Sequence, residues 1–228
     1  MENEEQLSGE ESLALITTMI QKAKHSYYES GTSVLLWGSL VTIASLLTFL
    51  QQAFSFSIGF DIWIIMLIAI IPQIFISIRE SKNRKFKSHT DNAICAVWLT
   101  YGITLAGLVL YHNIITHVTA ANIQNEGWTL VKHYTGNSQP DETIKPFVPG
   151  LFSLYLLLFA MPTLITGIVK KFRPMLIGAI IAYILFILSL FTPYKYDMLF
   201  GAATAISCWL IPGIILRKRF YRQKHSDV

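Results

Sequence analysis

The sequence predicts an all-α fold: a polytopic membrane bundle of six transmembrane helices preceded by an N-terminal amphipathic helix. Three observations predict it. Six long apolar runs occupy 33–51, 60–78, 93–111, 147–169, 174–191 and 198–216, and the only acidic or basic residue within them is Asp61, at the mouth of the second. Each run has the length an α-helix needs to cross a hydrocarbon layer of about 30 Å. Composition agrees, because 53% of the 228 residues are apolar and only 14% are charged, too little polar surface for a water-soluble domain of this size. Finally, Lys and Arg alternate from side to side along the chain. Of all 18, only Lys132, Lys145 and Lys195 fall in the connections after odd-numbered runs. The rest lie in the leader, the second and fourth connections and the tail, which places those segments in the cytoplasm.

Taken in order, the chain divides into an acidic cytoplasmic leader with an amphipathic helix (1–31), the six-span bundle (32–216, with an outer loop at 113–146) and a basic cytoplasmic tail (217–228). The leader opens Met1-Glu2-Asn3-Glu4-Glu5, unlike the basic start of a secretion signal, so it is expected to be retained. Ser8 followed by Glu11 fits a capping box, and Leu13, Ile16, Ile20 and Tyr27 repeat on one helical face before Gly31 ends the helix. That stripe suits docking, onto the inner leaflet, under the bundle, onto a second copy or onto a soluble partner.

Within the spans, aromatic residues mark the interfaces. Trp63, Tyr111, Trp128, Tyr194 and Tyr196 are expected at the outer boundary and Tyr27, Tyr28, Trp37 and Tyr221 at the inner one. Trp209 and Tyr183 fall deeper, where an indole N–H or phenolic O–H seeks an acceptor inside the bundle. Each hairpin has a Gly early in its first helix (Gly38, Gly102, Gly178) and a Pro late in its second (Pro72, Pro162, Pro212), at equal spacing in the first and third hairpins. This reads either as a threefold repeat or as the ordinary frequency of Gly and Pro in membrane helices. Each Pro removes a backbone N–H, so a kink or local cavity is expected near Pro72, Pro162 and Pro212. Gln73 and Thr163, each directly after a Pro, are the polar side chains nearest such a cavity, and Gln73 reads first as interhelical glue. Asp61 and Asp197 read as helix caps, with an ion-access role as the lesser alternative.

The spans carry no carboxylate, His or Arg near the midplane, no HExxH, no P-loop and no GxSxG. The expectation is therefore no enzyme, no catalytic residue and no cofactor. Cys95 and Cys208 sit inside spans and read as packing residues. His112, His117 and His133 are weak as a metal set, because i, i+5 spacing does not put the first two on one helical face. The positive net charge of +4 follows from the topology bias and suits the lipid bilayer as partner, not nucleic acid.

Four segments carry a resemblance: Glu10-Glu11-Ser12-Leu13, Leu35-Leu36-Trp37-Gly38, Lys171-Phe172-Arg173-Pro174 and the ending Ile211-Pro212-Gly213-Ile214-Ile215-Leu216-Arg217-Lys218. On these the chain resembles a group of bacterial six-span integral membrane proteins with no assigned activity. The resemblance implies the fold and supplies no site residue. The function expected is a regulatory, sensory or scaffold component engaging a cytoplasmic protein or a second copy. The alternatives are a carrier or channel for a small neutral or apolar solute and, more weakly, an intramembrane enzyme.

Overall fold

The computed structural model describes residues Leu13, Thr17, 30–83, 89–136, 139–148 and 150–226. They form α1 (Thr32–Phe54), α2 (Ile64–Asn83), α3 (His89–Asn125), a pair of two-residue strands β1 (Val131–Lys132) and β2 (Glu142–Thr143), α4 (Leu151–Val169), α5 (Arg173–Ser189), α6 (Asp197–Ala205), a π-helical segment Ile206–Leu210 and α7 (Ile211–Ser226). The last three make one continuous sixth helix. Among the described residues five helices are long and apolar enough to cross a membrane, counting 194–222 as one, while α5 is a shorter apolar helix of 17 residues. Large apolar side chains such as Leu67, Ile71 and Phe75 on α2, and Leu99, Ile103 and Leu110 on α3, are more than half exposed. An apolar surface of that extent belongs against lipid, and the protein is membrane-embedded.

The ends of the helices follow local chemistry. Gly31 and Gly150 take left-handed conformations at the starts of α1 and α4, with φ of 68° each. At Gly31 the requirement is double, because an added Cβ would also lie 2.9 Å from the Gly213 carbonyl oxygen and from Leu216 Cβ. Asp61 caps α2 as expected, its Oδ1 accepting the Trp63 N–H at 2.9 Å. Pro174 opens α5, where a missing N–H costs nothing. The turn before it holds the half-buried Lys170, whose ammonium is pushed down from 10.5 to about 8 by burial.

The outer loop is partly ordered. α3 runs through Asn125, so the first part of the 113–146 loop is helix, and at 37 residues it measures about 55 Å, well beyond the bilayer core. Beyond it the loop contains an antiparallel ladder, Val131 opposite Thr143 and Lys132 opposite Glu142. Opposite charges across that pair, the His133–Asp141 contact at 2.7 Å and the Tyr134 hydroxyl donating to Glu142 hold the short strands together. The expected N-terminal helix falls largely outside the described residues. Of its stripe only Leu13 is described, as helical and 65% exposed, with Thr17 Oγ1 donating to its carbonyl at 2.7 Å. Ile16, Ile20 and Tyr27 lie outside.

Packing is uneven. α1, α4, α5 and the sixth helix form the core, α2 rests chiefly on α1, and α3 chiefly on α4. The three hairpins are thus not equivalent, since the first helix of the middle one is peripheral. The glycines record this difference. A Cβ on Gly38 would sit 2.8 Å from Leu210 N, and one on Gly178 would sit 2.2 Å from the Ser207 carbonyl oxygen and 3.0 Å from Cys208 Cα, whereas one on Gly102 meets nothing within 4 Å. Gly38 and Gly178 bring α1 and α5 into backbone contact with the π segment from two sides; Gly102 has no such task.

Gly178→Ala should therefore lower the thermal unfolding midpoint in detergent by at least about 5 °C, because both groups at the clash are backbone and cannot rotate away. Gly102→Ala should leave the midpoint within about 1 °C. Equal midpoints for the two variants would contradict this packing.

Candidate functional site

Pro212 has no N–H, and its ring would press on the carbonyl of Cys208 one turn earlier. The sixth helix accommodates this by widening just before it. Over Ile206–Leu210 the chain is π-helical, and the Ile211 N–H reaches back five residues to the Ile206 carbonyl. The widened turn sits beside a set of polar contacts between helices.

Three indole N–H groups define that set. Trp209 Nε1 donates to Thr163 Oγ1 at 3.1 Å, Trp98 Nε1 to Thr166 Oγ1 at 3.1 Å and Trp37 Nε1 to Gln73 Oε1 at 3.1 Å. Gln73 completes its amide by donating to Ser33 Oγ and Ser77 Oγ. Thr163 and Thr166 pass their own protons to the Phe159 and Pro162 carbonyls. Around Trp209 the rings of Phe159, Trp98 and Tyr101 lie with centroids 4.9, 6.3 and 6.3 Å away. Such tilted and edge-on contacts suit aromatic quadrupoles. With Gly38 and Gly178 pressing on the same turn, one transverse belt links all six apolar helices.

The expected site residues are divided by this arrangement. Pro162 and Pro212 are fully buried, Thr163 is 0% exposed, and both flank the belt, Pro162 beside Thr163 and Pro212 beyond the π segment. Pro72 lies on the exposed side of α2, while Gln73 turns inward to Trp37. Trp209 faces the bundle and finds its acceptor, as its depth indicated. Trp37 donates its indole N–H to Gln73, which thus serves as interhelical glue, as expected of it. Trp98 carries the same role, which its sequence position, only five residues into its run, does not announce. Cys208 is buried and Cys95 exposed, both as free thiols.

Asp197 departs from its expected role as a cap. No side-chain cap bond is made at the start of α6, and its Oδ1 is buried without a hydrogen-bond partner, as are Ser153 Oγ, Thr204 Oγ1 and His112 Nδ1. His112 lies against Phe152, with ring centroids 6.0 Å apart, and His133 against Asp141. Among the described residues no group of three or more His, Cys, Asp and Glu comes together. Comparison with known protein families, curated proteins and solved structures finds no match to this chain.

Removing the indole acceptor and the indole separately and together measures the belt. In a cycle of Trp209→Phe and Thr163→Val, unfolding in detergent should give a favourable coupling of about 0.6 to 1.7 kcal/mol, the range for polar pairs between membrane helices. Additive effects of the two variants would mean that the bond contributes nothing.

Proposed function

We propose that this chain is a non-enzymatic component of a bacterial cytoplasmic membrane, crossing it six times with both termini in the cytoplasm, that regulates, senses or scaffolds by engaging a cytoplasmic protein or a second copy of itself. What supports this reading is the employment of Gln73 and Thr163. These are the polar side chains that a solute path past the proline kinks would need, and each is engaged by an indole from a neighbouring helix. A bundle whose interior polar groups tie helices together acts as an anchor, and its binding chemistry belongs at its faces.

The cytoplasmic face of this reading carries Lys82, Lys170, Lys171, Arg173 and the tail arginines, and the docking element is the leader. Leu13, Ile16, Ile20 and Tyr27 left in water would forgo about 1.5 to 3 kcal/mol for each large apolar side chain that burial would cover. The five acids Glu2, Glu4, Glu5, Glu10 and Glu11 repel an anionic leaflet and favour a protein surface, the basic connection at 79–87 being the nearest one. A carrier or channel for a small neutral or apolar solute is the second reading. The π segment and the unpartnered hydroxyls of Ser153 and Thr204 favour it, since transporters place irregular helix where it borders a binding site.

Ile16→Asp combined with Ile20→Asp should leave the protein inserted but abolish crosslinking to, and pull-down of, its partner or second copy from membranes. If the double variant keeps every interaction of the parent, the leader is not the docking element.

A further inference from the structure

The end of the bundle opposite the proline belt contains oxygen atoms that the protein itself leaves unused. Asp197 begins α6 and is 4% exposed, Ser153 near the start of α4 is 1% exposed, and Thr204 is 0% exposed; Oδ1 of the first and the hydroxyls of the other two make no hydrogen bond. An unpartnered polar atom in such a place carries the full cost of its desolvation, and an uncompensated carboxylate carries far more.

These atoms share a neighbourhood. Asp197, Gly201 and Thr204 are spaced i, i+4, i+7 and lie on one face of the sixth helix. The missing side chain of Gly201 leaves room on that face, where Ser45 Oγ of α1 stands 3.3 Å from the position a Cβ would take. Just beyond, the rings of Phe49 and Tyr196 meet at 6.3 Å, so α1 runs along the same stretch of the sixth helix past Asp197. α4 packs along α6, and Ser153 stands in the first turn of α4, at the same loop end of the bundle as Asp197. The nearest basic side chain in sequence, Lys195, is directed elsewhere, its ammonium 5.0 Å from the Tyr196 ring centroid.

We propose that Asp197, Ser45 and Ser153 form a binding site for a small hard monovalent cation, of the sodium class, at this end of the bundle. The donor set consists of oxygens, which hard cations prefer. One carboxylate supplies one negative charge, matching one positive charge with no excess left in the interior. Burial pushes the Asp197 carboxyl above the usual carboxylate range, and a cation beside it would offset that desolvation while engaging the idle hydroxyl oxygens. A proton would satisfy a single oxygen. Gly201 provides the space, and Thr204 is the next oxygen inward along the same face. Bound there, the cation ties α1 and α4 to the sixth helix, a linkage independent of any cytoplasmic partner.

The test is the unfolding midpoint of the purified full chain in detergent, in sodium chloride against choline chloride at equal ionic strength and pH. Sodium should raise the midpoint of the parent by about 3 °C or more. Asp197→Asn should abolish the shift, and Ser153→Ala and Ser45→Ala should each reduce it. Should Asp197→Asn fail to fold, the two alanine variants decide alone: an undiminished sodium shift in both overturns the site. A parent midpoint that ignores sodium overturns it equally, and one that moves with pH alone would mean that Asp197 is simply protonated.

Discussion

The bundle depends on how closely two helices approach the widened turn of the sixth. Gly178 allows α5 to lie with its Cα chain against the Ser207 carbonyl, and Gly38 allows α1 to reach Leu210 from the other side. In lipid there is no hydrophobic force to drive helices together, so close backbone approach and the dispersion it permits are what hold them. The π segment makes that approach possible at a place where a proline would otherwise force a kink. Widening the helix by one residue absorbs the clash from Pro212 and turns Trp209 toward α4, where Thr163 accepts its proton.

Once that contact is set, the other helices fall into place around it. Trp209 organises Phe159, Trp98 and Tyr101, and through Thr166 this brings α3 to the outside of α4. On the opposite side Trp37, next to Gly38, holds Gln73 of α2. The two peripheral helices are therefore tethered by polar side-chain bonds, α2 through Gln73 to Trp37 and Ser33 and α3 through Trp98 to Thr166, while the four core helices share small-residue contacts. The same division explains the exposure of α2 and α3 to lipid and locates rigidity in the centre. It also leaves the loop end of the core with oxygens that no helix uses.

Much of this was legible in the residues. The apolar runs gave the helices, Asp61 gave one of their ends, and the depth of Trp209 announced an interhelical donor. Gln73 and Thr163 stood out because each follows a proline. Other features depend on the azimuth of each helix, which period and composition do not supply. Gly38, Gly102 and Gly178 look alike along the chain, yet only two face the sixth helix. Asp61 and Asp197 look like equivalent caps, but one is exposed beside its N–H partner and the other is turned into the core. Nothing along the chain shows that Trp37 lies across from Gln73. The strand pair at Val131–Lys132 and Glu142–Thr143 is too short for alternation to reveal, and the stripe through Ile16, Ile20 and Tyr27 is read from sequence alone.

The central claim is that the turn at Ile206–Leu210 is a clamped structural core and not a moving hinge. Backbone hydrogen exchange on the purified full chain tests it most directly, because a hinge opens and a clamped turn does not, whatever its ligand. The account predicts that the amides of 206–211 exchange as slowly as those of buried α4 around Thr163, and far more slowly than those of peripheral α2 around Pro72. Exchange in the π segment as fast as in α2 would contradict it and would favour a sixth helix that opens during transport.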